Sequence, residues 1–268
     1  MLLRPTCHRL HSKTARARLR SLVELGLGKR SFEQGCCAVW TRMGTPTNFV
    51  FPVKNLQDDH IRLVPFDARA HAYPFYEGIS RTRGAAFAHF SSGPYASADD
   101  FNERFVKQRS YADKRMCTYA ILTSPEDEGG VGDLVGMVSL TNADAEDRRA
   151  DIGLLHVVPK AQGLGIGTTA CRMLLRHGMD SHEHGGLGLA RMEWRASTAN
   201  EASIGLARRL GFREVGVIRY ERLLRDGVAR GKIGNGRPPP PGTTDGDLWR
   251  DVVVYEMTWD EWQQAHRH

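Results

Sequence analysis

No stretch of this sequence is apolar for long enough to cross a bilayer. The longest candidate, Leu134–Leu140, contains a glycine and a serine, against the roughly 18 or more apolar residues a spanning helix requires. No membrane partner is therefore expected. Cysteine is scarce as well: five residues, an odd number, with Cys7, Cys36 and Cys37 crowded at one end and Cys117 and Cys171 standing alone. That is no disulfide framework, and a reducing compartment, the cytoplasm, is the expectation. No period of 20 to 50 residues recurs, which excludes solenoids and propellers. Beyond Arg42 there is also no excess of positive charge. The net charge of +6 sits in the first 42 residues, where Arg4, Arg9, Lys13, Arg16, Arg18, Arg20, Lys29, Arg30 and Arg42 face only Glu24 and Glu33. The remainder holds 28 basic and 29 acidic residues, too balanced to steer a polyanion, and no nucleic-acid partner is expected.

What is present is an ordinary globular composition, 41% hydrophobic and 25% charged over 268 residues, enough for one large domain or two small ones. Residues 1–42 are Arg-rich and acid-poor, and two readings stay open: a mitochondrial presequence, which would move the protein to that compartment, or upstream sequence foreign to the fold. On either reading they are expected to be disordered, followed by an amino-terminal arm over 43–60, a single domain over 61–262 and a short tail over 263–268. Within the domain, strands are predicted at Ile61–Val64, Met116–Thr123, Leu134–Thr141, Met192–Ala196, Val215–Leu224 and Val252–Met257. Ala150–Val158 is nearly continuous in apolar residues, as a buried central strand should be. Helices are predicted within Ala68–Lys114, over Thr168–His177 with Gly178 as its stop, and over Glu201–Leu210. The segment 226–247, with four consecutive prolines and repeated glycines, is expected to be a long mobile loop that adds little to a core.

The informative stretch is Val158-Pro159-Lys160-Ala161-Gln162-Gly163-Leu164-Gly165-Ile166-Gly167-Thr168. A buried strand ends at Pro159, a loop with glycine at every second position follows, and an amphipathic helix begins. Such a junction exposes consecutive backbone amides at the positive end of a helix with no Cβ to keep a ligand away. It is suited to an anion of pyrophosphate size, although glycines at such a junction can also be mere turn residues. The spacing is GxGxG rather than GxGxxG and does not open a first βαβ unit, so a dinucleotide fold is excluded. No GK[ST] follows, which excludes a P-loop.

These residues resemble the acetyl-CoA signature of the GNAT superfamily of N-acetyltransferases, with Gln162, Gly165 and Gly167 at its three defining places. Asp151–Gly153 followed by LLHVVP, the segment RMEWRASTANEASIGLARRLGFREVG and the closing RDVVVYEMTWDEW are similar to the ribosomal-protein N-acetyltransferase (RimJ/RimL-like) branch, although Asp151 stands where that branch carries Glu. The resemblance implies an α/β (α+β) GNAT fold. It would have a single mixed, mostly antiparallel sheet of six to seven strands flanked by helices, and a splayed central strand pair. It implies acetyl-CoA as co-substrate and a primary amine, small molecule or protein amino-terminus, as acceptor, attacked directly in a ternary complex. The pyrophosphate would lie on the amides of Gly163, Leu164, Gly165, Ile166, Gly167 and Thr168, and the pantetheine arm along the backbone of His156, Val157 and Val158.

Asn200 is implied to bond that arm, although Thr198 and Glu201 also spell a T-x-x-E capping box. The tyrosine that many relatives use to protonate the leaving thiolate is replaced here by Ala207, and the branch assigns that work to the place of Ser203. Asp151, Glu193 and Glu221 are the carboxylates available as general base, since partial burial raises a carboxylate pKa towards neutrality. Tyr220 and Tyr255 lie on strands that line the acceptor side in relatives. A catalytically silent acyl-CoA-binding domain is the alternative reading. No metal is expected: His177, His182 and His184 have no cysteine or carboxylate at ligand spacing. Trp194 and Phe212 read as core packing.

Overall fold

The computed structural model describes residues 48–80, 82–124, 130 and 132–266; the leader expected over 1–42 lies outside the described residues. One eight-stranded sheet runs in the order β1 (Leu56–Gln57), β2 (Ile61–Pro65), β3 (Cys117–Thr123), β4 (Leu134–Asp144), β5 (Arg149–Val157), β6 (Arg191–Ser197), β8 (Leu248–Thr258), β7 (Arg213–Leu224). All neighbours are antiparallel except β5 and β6, which is the mixed sheet expected, with eight strands instead of six or seven. The additional strand is β1, two residues paired with β2, too short to leave a periodic signal.

The helices are α1 (Ala68–Ser80), α2 (Arg83–Phe87), α3 (Ala98–Phe101) running into a π-helical segment (Asn102–Tyr111), α4 (Ile166–Met179), α5 (Glu201–Arg209) and α6 (Trp259–Ala265). None of the described helices is long and apolar enough to cross a membrane. α1 starts where the Asp67 carboxylate accepts the N–H groups of Arg69 and Ala70, an N-cap bond pattern. It buries Phe75 and Ile79, which with Phe101 and Phe105 of the next helical segment cover the sheet face that carries Thr118 and His156: the Phe75 ring lies 5.8 Å from His156, and Ser110 meets Thr118 at 2.8 Å. α4 carries Ile166, Ala170, Cys171, Leu174 and Leu175 as its buried face, the stripe a sheet-packed helix needs. It continues past Gly178, which is buried against Met192 of β6 instead of ending the helix.

Two expected boundaries move, and one expected loop keeps its bounds but not its freedom. From residue 48 the arm is part of the fold: Phe49, Val50, Phe51 and Val53 pack on the core, and Val50 N–H bonds Lys114 O. The tail is partly helical, α6 reaching Ala265 with the His266 ring stacked on Trp262 at 3.7 Å. The Pro/Gly-rich loop 226–247 is not a free appendage. Lys232 is buried, and its Nζ donates to Phe87 O (2.9 Å) and Ser92 O (2.7 Å). Arg230 donates to Ser91 O and Gly93 O, and Ile233 N–H bonds Ala88 O. Farther along, Asn235 Nδ2 and Arg237 Nε each donate to the buried Asp251 carboxylate at 2.7 Å. Proline and glycine preclude regular structure there, but not side-chain anchoring to distant carbonyls.

Two irregularities open the middle of the sheet. β5 and β6 pair only from Arg149↔Arg191 to Ile152↔Trp194, after which they part. At the same place β5 carries an extra residue against β4, between Gly153 and His156, with Leu154 at φ 52°. A bulge of this kind bends and twists its strand, and here it accompanies the separation of β5 from β6.

Candidate active site

A cleft of about 910 Å³ occupies the gap between β5 and β6. At one end lies the glycine loop. Gly163 (φ 76°) and Gly165 (φ 83°) are in the left-handed region that favours glycine, and a Cβ at either would meet nothing within 4 Å. That side of the loop is open. Gly167 has another role: a Cβ there would come within 3.2 Å of Leu155 on β5, so it lets α4 lie close on the strand. The helical ladder begins with Thr169 N–H on Gly165 O. None of the N–H groups of Gly163, Leu164, Gly165, Ile166, Gly167 and Thr168 has an acceptor among the described residues. Six consecutive residues thus present unsatisfied donors at the positive end of a fourteen-residue helix, an arrangement that stabilises an anion. Gln162 braces the loop, its Nε2 donating to Val157 O at 3.0 Å.

Beyond the loop, β5 from Gly153 to Val157 has no partner on the β6 side among the described residues. The backbone of His156 and Val157 therefore borders the gap. Val158 does not belong with them: its N–H is donated to Val135 O (2.9 Å) and its carbonyl accepts Ala161 N–H (2.8 Å). The His156 imidazole is buried and stacked on Phe90 at 4.2 Å. Burial, and secondarily Lys232, push its pKa down to about 3, so it is neutral and acts as packing.

On the β6 side, Asn200 is the cap of α5, its side-chain oxygen accepting Ser203 N–H at 3.2 Å. The capping box expected from Thr198 and Glu201 is not formed, because the helix begins at Glu201. Asn200 still lines the cleft. Ser203 lies one turn into the helix, and its Oγ accepts the Trp194 indole N–H at 2.9 Å. Trp194 packs against Phe212 as expected (6.0 Å between rings), and the indole N–H additionally orients Ser203. A hydroxyl that accepts in this way has its own proton free to donate elsewhere.

The three candidate carboxylates form a row, Asp151 and Glu193 as cross-strand partners and Glu193 and Glu221 joined through Arg195. Asp151 is buried beside the point where the strands part, and Asn142 Nδ2 donates to it at 2.7 Å. Burial raises its pKa to about 6, opposed by the Asn142 bond and assisted by Glu193. Glu193, its cross-strand partner on β6, does not project free into solvent but is held by Arg191 at 2.7 Å and Arg195 at 3.9 Å. Glu221 lines the far end of the cleft in ion pairs with Arg195 and Arg222, both at 3.4 Å. It is brought there by a bulge: between Ile218 and Arg222, β7 spends two residues more than β8 does between Val252 and Arg250. Tyr220 (φ 52°) donates its N–H to Asp251 within that bulge and its hydroxyl to Pro238 O. Tyr255 is buried, with its hydroxyl on Glu214, and does not line the cleft.

Sequence reasoning does not reach the arginines of that far end. Arg109 of the π-helical segment, Arg195 of β6, Arg222 of β7 and Arg250 of β8 all line it, together with His89 and Phe90. Arg250 donates to His89 O at 2.6 Å, tying β8 to the loop after α2 across the mouth of the gap. They come from four segments distant in sequence, and no local pattern marks them. His177, His182 and His184 do not converge, and no group of three or more His, Cys, Asp or Glu side chains among the described residues is placed to hold a metal.

Comparison with known proteins agrees with this geometry. The profile of the acetyltransferase (GNAT) domain family matches residues 60–213. Over 176 residues, 65% of this chain and 77% of the relative, the chain is 33% identical to "Putative ribosomal N-acetyltransferase YdaF" of Bacillus subtilis (strain 168). Among solved structures, a GCN5-related N-acetyltransferase from Brucella melitensis superposes with a TM-score of 0.61 at 21% identity, covering 80% of this chain and 84% of that one. Spermidine N-acetyltransferase from Vibrio cholerae, in complex with CoA and spermine, gives 0.53 at 15% identity over 76% and 99%. Both share the fold.

Proposed function

Because the chain belongs to the GNAT acetyltransferase family, we propose that it moves the acetyl group of acetyl-CoA to a primary amine by direct attack within a ternary complex. The carrying observation is the row of unsatisfied amides at residues 163–168, continuous with the unpaired edge of β5. The loop accommodates a pyrophosphate without steric obstruction, and the strand edge offers an extended arm main-chain partners, as a sheet edge does for an added strand. Acetyl-CoA supplies an acyl carbon already activated as a thioester.

In the transfer one N–C bond forms and the C–S bond breaks, one proton leaves the amine and one reaches the thiolate. Ser203 is suited to the second: its Oγ accepts from Trp194, which directs its own proton away from the indole. Asp151 is suited to the first, being half ionised near pH 6 and placed where the strands diverge. Glu221 is the alternative base, but ion pairs to Arg195 and Arg222 engage both of its oxygens, which favours an orienting role. Asn200 fits one end of the pantetheine arm through the side-chain amide its capping bond leaves over. Proximity supplies most of the acceleration in such a complex.

Isothermal titration with acetyl-CoA, followed by thiol release on an amine panel, tests the reading. Saturable binding and amine-dependent release are expected. Binding without turnover on any amine points to a silent acyl-CoA-binding domain, and absence of binding overturns the reading altogether.

A further inference from the structure

Arg222 and Arg250 are direct cross-strand partners on β7 and β8. Like charges in that relation repel and destabilise a hairpin. Arg109, from the opposite side of the cleft, forms no ion pair within 4 Å among the described residues; it lies 6.0 Å from the Phe105 ring and is attracted more weakly by Tyr95 and Asp113. Arg250 is 8% exposed and its Nε has no hydrogen-bond partner. A buried guanidinium nitrogen without an acceptor is costly to leave so. Glu221 is shared between Arg195 and Arg222, and Arg195 also meets Glu193, so the acidic partners gather on Arg195 and Arg222 and leave Arg109 and Arg250 without an ion pair among the described residues. Burial is the main reason that Arg109 and Arg250 both lie below the usual arginine value; Arg222 adds to it at each, against the attraction of Tyr95 and Asp113 on Arg109 and of Glu221 on Arg250. The glycine loop, at the other end of the cleft, has its own amides for the phosphates of acetyl-CoA.

Resting on the acetyltransferase reading, we infer that the acceptor is an amine that also carries an anionic group, a carboxylate or a phosphate, which Arg109, Arg222 and Arg250 clamp at the acceptor end of the cleft. Guanidiniums present forked donors suited to either anion. A polyamine would meet a net excess of positive charge there instead.

Titration of the CoA-saturated protein with phosphoethanolamine, β-alanine, ethanolamine and spermidine reads this directly, without need of turnover. At least one of the two anionic amines should bind tenfold or more tightly than ethanolamine, spermidine should not bind, and which anion leads distinguishes phosphate from carboxylate. Arg222→Gln and Arg109→Gln should each erase the preference while the affinity for CoA stays within threefold. Equal binding of neutral and anionic amines, preference for spermidine, or no binding by any of the four overturns the clamp. So does a tenfold loss of CoA affinity in either variant, which would assign those arginines to the acetyl-CoA half of the cleft. Failure of CoA itself to bind sinks the acetyltransferase reading separately.

Discussion

At one end of the cleft the hydrogen-bond donors are peptide nitrogens from six consecutive residues; at the other they are guanidiniums from the π-helical segment, β6, β7 and β8. The first end is generic. Its shape follows from glycines at two left-handed positions and from the start of a helix, and side chains there can vary without changing what it binds. The second end is specific, because its charge is a property of particular side chains brought together by register and bulges. An enzyme family that keeps one acyl donor and changes acceptors needs this division: a backbone site on one side and a side-chain site on the other.

The division is tested most strongly at Gly165. Replacing it with Glu puts a side chain and a negative charge into open space beside the free amides, at φ 83°. Acetyl-CoA affinity should fall at least about 100-fold, roughly 3 kcal/mol, with the far-ultraviolet spectrum unchanged. Undiminished affinity by titration calorimetry would remove the amide row from the acetyl-CoA site. A smaller effect is expected at Asp151, between the two ends. Its folded pKa of about 6 lies above the ordinary carboxylate value because of burial, so the folded protein binds the extra proton between about pH 4 and 6. Stability attributable to this group is therefore present at low pH and lost as pH rises through that window. Asp151→Asn should be flat there and more stable than the parent at pH 7 by about 2–3 kcal/mol. If Asp151 is the base, the same variant loses the acid limb of the rate profile centred near pH 6 together with most of its turnover. Higher stability with an unchanged rate profile would leave it a structural carboxylate.

The same division separates what is legible in the sequence from what is not. The strand at Ala150–Val158, the glycine loop and the helix after it are readable because their signals are contiguous: an apolar run, alternating glycines, an amphipathic stripe. Even the opening between β5 and β6 follows once the family resemblance is granted. The capping box spelled by Thr198 and Glu201 is a false signal beside Asn200, since the pattern would cap the helix two residues too early. Arg222 facing Arg250 has no local signature at all, because the pairing depends on a hairpin that closes over the long 226–247 segment and on two bulges within β7. Composition alone makes that segment look mobile, while its anchors are carbonyls of residues 87–93 and the Asp251 carboxylate.

Lys232 is where that anchoring can be measured, with the smallest effect of the three. Lys232→Ala removes the donor to Ser92 O and one donor to Phe87 O, which should cost about 2 kcal/mol and lower Tm by roughly 4–8 °C. Burial, then Arg230 and Arg250, lower the Lys232 pKa to about 7. Between about pH 7 and 10 the folded state thus holds fewer protons than the unfolded one, and stability should climb with pH in the parent but not in the variant. Because no residue of the 226–247 segment lines the cleft, acetyl-CoA affinity should stay within threefold. A Tm that rises would mean that relief from burying the ammonium outweighs the lost bonds, and that the loop is stapled at a net cost. A collapse of acetyl-CoA affinity would break the division itself, since an acceptor-side anchor would then be shaping the amide-lined end.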